Sequence, residues 1–474
     1  MSQLSDTFTI NTPQTPAAAS ALVAHASQNS YFMSGATRTY EARRLTLLKL
    51  RAALRKHEPL LLEALQKDLR KHPHESYMTE IGFIYDELHH VIQGLKSWMK
   101  PRKVSTPLSL QPGSSMIIPE ALGRVLVIAP WNYPLQLAIN PVIGALAAGN
   151  VVTLKPSELT PHVSAALALM VRESFEPALF HIVEGGVDVS ECLLAEKWDH
   201  IFFTGSTAVG KIVAVAAAKQ LAPVTLELGG KSPCIVTKSA NIELAARRIV
   251  FGKVLNAGQT CVAPDYLLVE KGAEQDLIKA MRREIELRYG SNPLENPDMP
   301  RIVSDRHFQR LTKLMDPKYI VAGGRTDASQ LLIEPTLFLN FPIDHPLMQE
   351  ELFGPLLPIL TYDKIEDAIR LITERDHPLA LYIFSEDKDE QESVIRGTRF
   401  GGGAINDTIM HLANANLPFG GVGASGHGNY HGVSSFECFV HHKSVLKTST
   451  FIDLPFRYAP WTPLKNKLIR LFLR

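Results

Sequence analysis

The sequence RVLVIA at residues 124–129 is followed directly by PWNYP at residues 130–134. A short apolar run that ends at a proline is typical of a buried β-strand. Similar runs recur at residues 151–154, 181–183, 200–203 and 224–228, and helical stretches at residues 134–148, 161–175 and 210–219 lie between them. This alternation predicts an α/β fold with a doubly wound parallel sheet.

The rest of the chain divides into an N-terminal helical region and a second mixed region. Apolar residues recur near the helical period over residues 39–100, in three runs of which the second covers residues 60–69. Residues 103–118 contain turn-forming prolines and are expected to form an extended arm. Residues 231–426 mix helices, strands and glycine-rich loops. A chain of 474 residues is too long for one ordinary core, so two or three domains are expected.

The composition is that of a globular protein and excludes several function classes. The net charge is +1, so no general attraction to nucleic acid is expected. The 4 cysteines are well separated, which argues against a disulfide framework or a metal site. Residues 1–20 lack the cationic start and apolar core of a secretory signal. We therefore expect a reducing, cytoplasmic setting.

Cys261 is the strongest candidate for a reactive group. It ends the sequence Asn256-Ala257-Gly258-Gln259-Thr260-Cys261, which follows a helical run at residues 242–255. A glycine-bearing loop near a helix N-terminus can give a thiol access and a lowered pKa. A buried structural role is the commoner fate of a cysteine, and we keep that interpretation for Cys192, Cys234 and Cys438.

Two polar residues at predicted strand ends could assist such a thiol. Glu227 ends an apolar run and precedes Gly229, where a carboxylate can act as a general base, although a solvated acid would also fit there. Asn132 lies between two aromatic residues, and its amide beside a cysteine N–H would form an oxyanion hole. An asparagine in a turn between prolines is the alternative.

The glycines of residues 205–210 indicate a cofactor site. They follow a predicted strand and open a helix, so that backbone N–H groups can face a pyrophosphate. The spacing is not GxGxxG, and the Lys-Ser/Thr of an ATP-binding P-loop is absent. Lys155 and Glu158 can reach ribose hydroxyls, or can simply form an exposed ion pair. A carboxylate at that place repels a 2′-phosphate and favours NAD over NADP.

The C-terminal stretch, residues 461–474, mixes leucines with lysines and arginines at helical spacing. This pattern predicts a short basic amphipathic helix. Such a helix either packs on its own or a partner subunit, or makes a weak contact with a membrane surface.

Taken together, the motifs resemble the aldehyde dehydrogenase superfamily, in order from about residue 40 to residue 445. They are PWNYP at residues 130–134, LKPSE at 154–158, FTGST at 203–207, LELGGKSP at 226–233, GQTC at 258–261, EELFGP at 350–355 and PFGGVGASG at 418–426. The sequences CVAPDY at residues 261–266 and GNYHG at 428–432 are similar to the class 3 and coniferyl aldehyde dehydrogenase branch.

The resemblance implies a role for each matching residue. It makes Cys261 the nucleophile, Glu227 the general base and Asn132 the oxyanion donor. The cofactor site it implies comprises Trp131, Lys155, Glu158, Gly205, Ser206, Gly210, Glu351 and Phe353. Tyr133 and Thr260 are assigned to the substrate site, and no metal is expected.

The resemblance also implies an organisation and an assembly. Residues 1–102 and 121–228 would form the NAD(P)-binding domain and residues 229–432 a second, α/β catalytic domain. A small bridging β element would comprise residues 103–120 and 433–447, and residues 448–474 would be the tail. Members of the branch are typically homodimers and accept NADP beside NAD.

The expected reaction is oxidation of an aliphatic or aromatic aldehyde to its acid through a thiohemiacetal and a thioester on Cys261. One alternative is an acylating enzyme that transfers the acyl group to coenzyme A, although Glu227 argues for hydrolysis. Another is a cysteine hydrolase, for which no histidine has an evident partnering motif with Cys261. A non-enzymatic use of the fold is the third.

Overall fold

The computed structural model describes residues 16–472 of the chain. Two predictions fall partly outside the described residues. These are the absence of a secretory signal, for residues 1–15, and the basic amphipathic helix, for Leu473 and Arg474. The described part contains two largely parallel sheets and a small antiparallel sheet. This architecture confirms the expected α/β fold class.

The N-terminal region is helical, as predicted. Its elements are Pro16–Met33, Tyr40–Leu69, Pro73–Ser76, a π-helical turn at Tyr77–Ile81, and Gly82–Trp98. The prediction of a separate run at residues 60–69 was wrong, because Pro59 lies inside one continuous helix. Thr39 caps that helix by accepting a hydrogen bond from the Ala42 N–H at 3.1 Å.

The first parallel sheet has six strands. In spatial order they are Gly426–His427, Val224–Leu228, His200–Gly205, Arg124–Ile128, Val151–Lys155 and Phe180–Ile182, and only the first is antiparallel to its neighbour. The helices Gln136–Ala148, Pro161–Ser174, Val187–Ala195 and Thr207–Gln220 connect them. The strand order reverses between Arg124–Ile128 and His200–Gly205, where ligands bind in doubly wound sheets.

The second large sheet has seven strands. In spatial order they are Ile320–Ala322, Thr336–Phe338, Leu356–Tyr362, Tyr266–Glu270, Pro233–Val236, Ala380–Phe384 and Gly402–Ile405. All neighbours are parallel except the first pair. The main helices here are Ile242–Val254, Glu274–Tyr289, Asp305–Thr312, Ile365–Thr373 and Lys388–Gly397, and a small ribbon pairs Thr326–Asp327 with Leu332–Ile333.

The small sheet is formed by Arg102–Val104, Gly113–Ala121 and Val440–Thr448. The segment expected to be an extended arm therefore consists of two antiparallel strands joined through a short 3-10 turn at Leu108–Leu110. Val433–Glu437 leads into the last strand, and Pro463–Phe472 forms the C-terminal helix.

One apolar core joins the N-terminal helices to both large sheets. It includes Leu47 and Leu88 from the helices, Val125 and Val152 from the first sheet, and Leu267 from the second, all fully buried. The N-terminal helices are thus fixed against the region between the two sheets. This arrangement brings residues 71–80 close to the loops described below.

Candidate active site

The loop before Cys261 has an unusual backbone. After the helix Ile242–Val254, residues 256–258 have successive positive φ angles of 52°, 54° and 72°. A Cβ added to Gly258 would lie 2.3 Å from the carbonyl oxygen of Gly354, so this position requires glycine. The left-handed residues reverse the chain and direct it towards the first sheet.

The loop that carries Cys261 follows the end of one helix and does not lead directly into another. Cys261 follows the C-terminal end of the helix Ile242–Val254, and within residues 16–472 no helix begins at it. The dipole of the helix Ile242–Val254 has its negative end towards the thiol loop and therefore does not lower the pKa of the thiol.

The surroundings of Cys261 favour the protonated thiol at rest. Burial raises the pKa of Cys261 well above its usual range, and the carboxylates of Glu351 and Glu227 raise it further. The N–H groups of Cys261 and Val262 act in the opposite direction. A thiolate at this position therefore requires removal of a proton from a dry environment.

Asn132 lies against the same loop. Its side-chain nitrogen donates to the carbonyl oxygen of Gln259 at 3.0 Å. The side-chain nitrogen of Asn256 donates in turn to the carbonyl oxygens of Asn132, at 2.6 Å, and of Gln259, at 3.2 Å. These buried hydrogen bonds join the turn that follows the strand Arg124–Ile128 to the thiol loop.

The two predicted substrate residues also meet. The hydroxyl of Tyr133 and that of Thr260 are 2.6 Å apart, and both side chains are buried. At the residue that follows the thiol in sequence, the hydroxyl of Tyr382 donates to the carbonyl oxygen of Val262 at 2.7 Å. Cys261 is thus held between fixed neighbours on both sides.

Glu227 is the buried acid of the site. It is the penultimate residue of the strand Val224–Leu228 and is 2% exposed. Neither carboxylate oxygen has a hydrogen-bond partner among the described residues. Burial raises the pKa of Glu227 well above its usual value, and Glu227 interacts electrostatically with Cys261. In its ionised form, an unpaired acid with a raised pKa is a strong base and can accept a proton from a reacting molecule.

Glu351 reaches across from the second large sheet to the first. A Cβ on Gly229 would lie 2.0 Å from Oε2 of Glu351, so a larger residue there would displace the Glu351 carboxyl group. Burial and the nearby Asp265 raise the pKa of Glu351 to about 8. A hydrogen bond from the Gly230 N–H acts in the opposite direction and lowers it. The ring of Phe353, whose φ is 51°, packs edge-on against Trp131 at 5.2 Å.

The predicted ribose residues form an ion pair. Nζ of Lys155 lies 2.6 Å from Oε2 of Glu158, with Lys155 buried and Glu158 side chain 44% exposed. Burial acts to raise the pKa of Glu158, but hydrogen bonds from Lys155 and its own backbone outweigh this effect and lower it. The exposed carboxylate is therefore charged and available to ribose hydroxyls.

The glycine segment fits a pyrophosphate. The helix Thr207–Gln220 begins directly after the strand His200–Gly205, and Ser206 caps it by accepting from the Val209 N–H at 3.4 Å. The first N–H groups of a helix lack partners within it and attract anions. A Cβ on Gly210 would lie 2.5 Å from Leu228, which shows how closely this helix packs on the sheet. The donors and the ribose pair together suit a dinucleotide.

Several residues near Cys261 were missed by sequence reasoning. Tyr430 and His431 lie in the GNYHG segment, and the ring of Phe419 stacks on His431 at 5.2 Å, with Phe83 at 5.6 Å from it. We call Phe83, Phe419, Tyr430 and His431 the aromatic wall. Burial raises the pKa of Tyr430, and Glu227 and Cys261 raise it further, so Tyr430 lies within electrostatic range of the thiol. Only the motif position of residues 428–432 could have pointed to it.

Comparison with known proteins agrees with this geometry. The aldehyde dehydrogenase family profile matches residues 7–445. The 4,4'-diaponeurosporen-aldehyde dehydrogenase of Staphylococcus aureus is 47% identical over 94% of this chain and 97% of its own. The dimeric NADP-preferring aldehyde dehydrogenase of Mus musculus is 43% identical over 88% of this chain and 92% of its own.

Solved structures agree as well. The substrate-bound state of Staphylococcus aureus AldH superposes with a TM-score of 0.94 and 46% identity, over 96% of this chain and 99% of the other. The indole-3-acetaldehyde dehydrogenase of P. syringae in complex with NAD+ gives a TM-score of 0.83 and 26% identity, over 91% and 89%. The chain belongs to the aldehyde dehydrogenase family, in its class 3-like branch, and is an NAD(P)-dependent enzyme that oxidises an aldehyde to a carboxylic acid.

Proposed function

We propose that Cys261, Asn132 and Glu227 carry out the reaction. The Cys261 thiolate attacks the aldehyde carbon, and the oxygen that becomes negative is held by the Asn132 side-chain amide and the Cys261 N–H. Bound NAD(P)+ supplies the acceptor for the hydride that leaves this carbon. Glu227 then takes a proton from water as the water attacks the thioester carbon; the C–S bond breaks, the acid is released and Cys261 leaves as the thiolate. The observation that carries this proposal is the buried carboxyl group of Glu227, unpaired among the described residues and interacting electrostatically with Cys261.

The cofactor-binding roles are also proposed. Lys155 and Glu158 would hold the adenosine ribose, and Gly205, Ser206 and Gly210 would receive the pyrophosphate at the helix N-terminus. Trp131, Glu351 and Phe353 would surround the nicotinamide end. The edge-on contact of Trp131 with Phe353 and the close approach of Glu351 to Gly229 support this division.

We propose an apolar aldehyde as the substrate. Tyr133 and Thr260 would line its entry to Cys261 together with the aromatic wall, and their hydroxyls are hydrogen-bonded to each other. Relatives are named for 4,4'-diaponeurosporen-aldehyde and indole-3-acetaldehyde. A kinetic screen of these two with straight-chain aldehydes of increasing length, using NAD+ and NADP+ in parallel, identifies the preferred class. A preference for short polar aldehydes would contradict this proposal.

The central experiment traps the thioester. A Glu227→Gln variant given aldehyde and NAD+ should form one equivalent of NADH rapidly and then stop, and intact mass spectrometry should find the acyl group on Cys261. Cys261→Ser should form neither. Full steady-state turnover by Glu227→Gln would overturn the role of Glu227, and an acyl adduct elsewhere would overturn that of Cys261. Addition of coenzyme A to the wild-type enzyme should leave acid as the product.

We propose the domain division stated above. Residues 1–102 and 121–228 bind the cofactor, residues 229–432 carry the thiol, and residues 103–120 with 433–447 form the bridging element.

We also propose a homodimer. The strand Val440–Thr448 ends its sheet and has mostly exposed side chains, so its outer edge can pair with another strand. Light scattering with Leu446→Pro as the variant tests this, because proline removes a ladder donor. An unchanged dimer would exclude that edge.

The C-terminal tail is proposed to make a weak membrane-surface contact, in an otherwise cytoplasmic enzyme. The helix Pro463–Phe472 exposes Leu464 and Leu471 together with Lys467 and Arg470. Within residues 16–472, no helix has the length and apolar character needed to cross a bilayer. Sedimentation with anionic vesicles should capture the wild type but not a chain ending at residue 460. Equal capture of both would exclude the tail.

A further inference from the structure

A buried pair of charges lies behind the active site. Nζ of Lys71 is 2.6 Å from Oε1 of Glu80, and both side chains are fully buried. The other oxygen of Glu80 accepts hydrogen bonds from the N–H groups of Leu135, at 2.8 Å, and Gln136, at 3.2 Å. These donors begin the helix that follows Asn132, so Glu80 fixes the end of the Asn132 turn. The positive end of the helix dipole favours a carboxylate there.

A second carboxylate fixes the thiol loop. Oε1 of Glu75 accepts a hydrogen bond from the Asn256 N–H at 2.7 Å. Asn256 is the first left-handed residue of the loop and is fully buried. Residues other than glycine adopt this conformation less readily, although asparagine does so more readily than most, and contacts from the surroundings stabilise it. Glu75 supplies one such contact from outside the loop, five positions before Glu80.

The local helix geometry explains why both acids face the same region. Tyr77–Ile81 is a π-helical turn, closed by a hydrogen bond from the Gly82 N–H to the carbonyl oxygen of Tyr77, five residues earlier. This wider turn follows Glu75 and contains Glu80, so it turns the two acids closer to one side of the segment than a continuous α-helix would. Glu75 and Glu80 reach two different loops from one short segment. The hydrogen bonds among Asn256, Asn132 and Gln259 close the connection between those loops.

We propose that Glu75 and Glu80 are positioning residues that set the spacing between the Asn132 amide and the Cys261 thiol. Lys71 neutralises Glu80, which would otherwise be an isolated charge in the core. This inference rests on the proposed function, because it requires Asn132 to hold the oxyanion. Neither acid touches the reacting atoms.

The test separates attack on a carbonyl from simple reactivity of the thiol. Release of p-nitrophenolate from p-nitrophenyl acetate reports acyl transfer to Cys261, in which the thiolate forms a C–S bond and the C–O bond of the ester breaks. Alkylation by iodoacetamide displaces iodide and develops no oxyanion, so it needs the thiol alone. Both reactions are measured on the full-length enzyme without cofactor, together with the thermal midpoint.

Glu75→Ala should lower the p-nitrophenolate burst rate about tenfold to a hundredfold, because small misplacements of catalytic groups have effects of this size. Glu75→Gln keeps an acceptor oxygen and should restore the rate to within about threefold of wild type. Alkylation of Cys261 should change less than about twofold in both variants. The proposal would be overturned if Glu75→Ala left the p-nitrophenolate burst rate unchanged. It would also be overturned if the burst rate and the alkylation rate of Cys261 fell by the same factor.

Glu80 is tested with two double variants, because replacing Glu80 alone would leave the buried charge of Lys71 without a partner. Lys71→Met/Glu80→Gln and Lys71→Met/Glu80→Ala both lack the buried charges and differ in the acceptor oxygen. The alanine pair should be about tenfold slower in the burst than the glutamine pair, again by misplacement of catalytic groups; equal rates would remove Glu80 from the proposal. Asn132→Ala is the reference: if its burst equals wild type, the proposed oxyanion role fails, and this inference with it. If only Asn132→Ala is slow, this inference alone fails.

Discussion

The side-chain nitrogen of Asn132 donates to the carbonyl oxygen of Gln259 across 3.0 Å, two residues before Cys261. An amide nitrogen carries two hydrogens, so one remains for a bound oxyanion. Asn132→Asp keeps the shape but removes the donor. We expect kcat/KM for the aldehyde to fall about 10²- to 10³-fold, with KM changed far less than kcat. Steady-state NADH formation measures this. A loss confined to KM would assign Asn132 to substrate binding instead.

The rate of Cys261 alkylation should rise with pH through the alkaline range. Burial and the two nearby carboxylates raise the pKa of the thiol, so a larger share becomes thiolate only as the pH increases. Mass spectrometry of the labelled peptide distinguishes Cys261 from the other cysteines. Glu351→Gln should accelerate the reaction only above about pH 8, where Glu351 is charged. A plateau already below pH 7 would contradict this prediction.

Replacement of Glu227 should stabilise the fold increasingly as the pH rises. Its folded pKa is raised by burial, so the folded state holds the proton more tightly than the unfolded state does. Wild-type stability therefore falls as the pH increases above the unfolded pKa, by up to about 1.4 kcal/mol per pH unit. Glu227→Gln cannot titrate. The thermal midpoint of the variant minus that of wild type should grow from pH 5 to pH 7, and a constant difference would exclude the burial effect.

The charge of Glu158 should limit the use of NADP. Removing it in Glu158→Gln relieves repulsion of the 2′-phosphate and frees Lys155, its partner at 2.6 Å, for that phosphate. We expect the ratio of kcat/KM for NADP+ to that for NAD+ to rise about tenfold or more, the scale of one charged contact. Glu173→Gln, an exposed acid paired with Lys56, is the matched control and should leave the ratio unchanged. An unchanged ratio in Glu158→Gln would mean that another group discriminates the cofactors.

Much of the fold was predictable because its signals are local. The apolar runs at residues 124–129 and 200–203 correspond to strands of the first sheet, and the strand Val224–Leu228 has the predicted bounds. The rule that ligands bind at the carboxyl ends of parallel strands predicts that Asn132 and Glu227 belong to one site. These inferences need only residue periodicity and the position of turn residues.

The rest depends on contacts between distant parts of the chain. Glu75 and Glu80 look like ordinary helix acids, and nothing near them in sequence indicates that they accept hydrogen bonds from residues 256 and 135. Whether the Cys261 loop begins or ends a helix depends on three left-handed residues, two of which are not glycine. Pro59 lies within a helix because tertiary packing outweighs its local preference.

The hydrogen bond between Asn256 and Glu75 joins residues 181 positions apart. During synthesis the N-terminal helices leave the ribosome well before the thiol loop, so the loop completes its shape on a segment that is already present. A truncated homologue that keeps PWNYP, LELGGKSP and GQTC but has lost the region before them would still match the family by motif. On this structure it would be a cofactor-binding protein with a misaligned thiol, and genome searches that score motifs alone would count it as an enzyme.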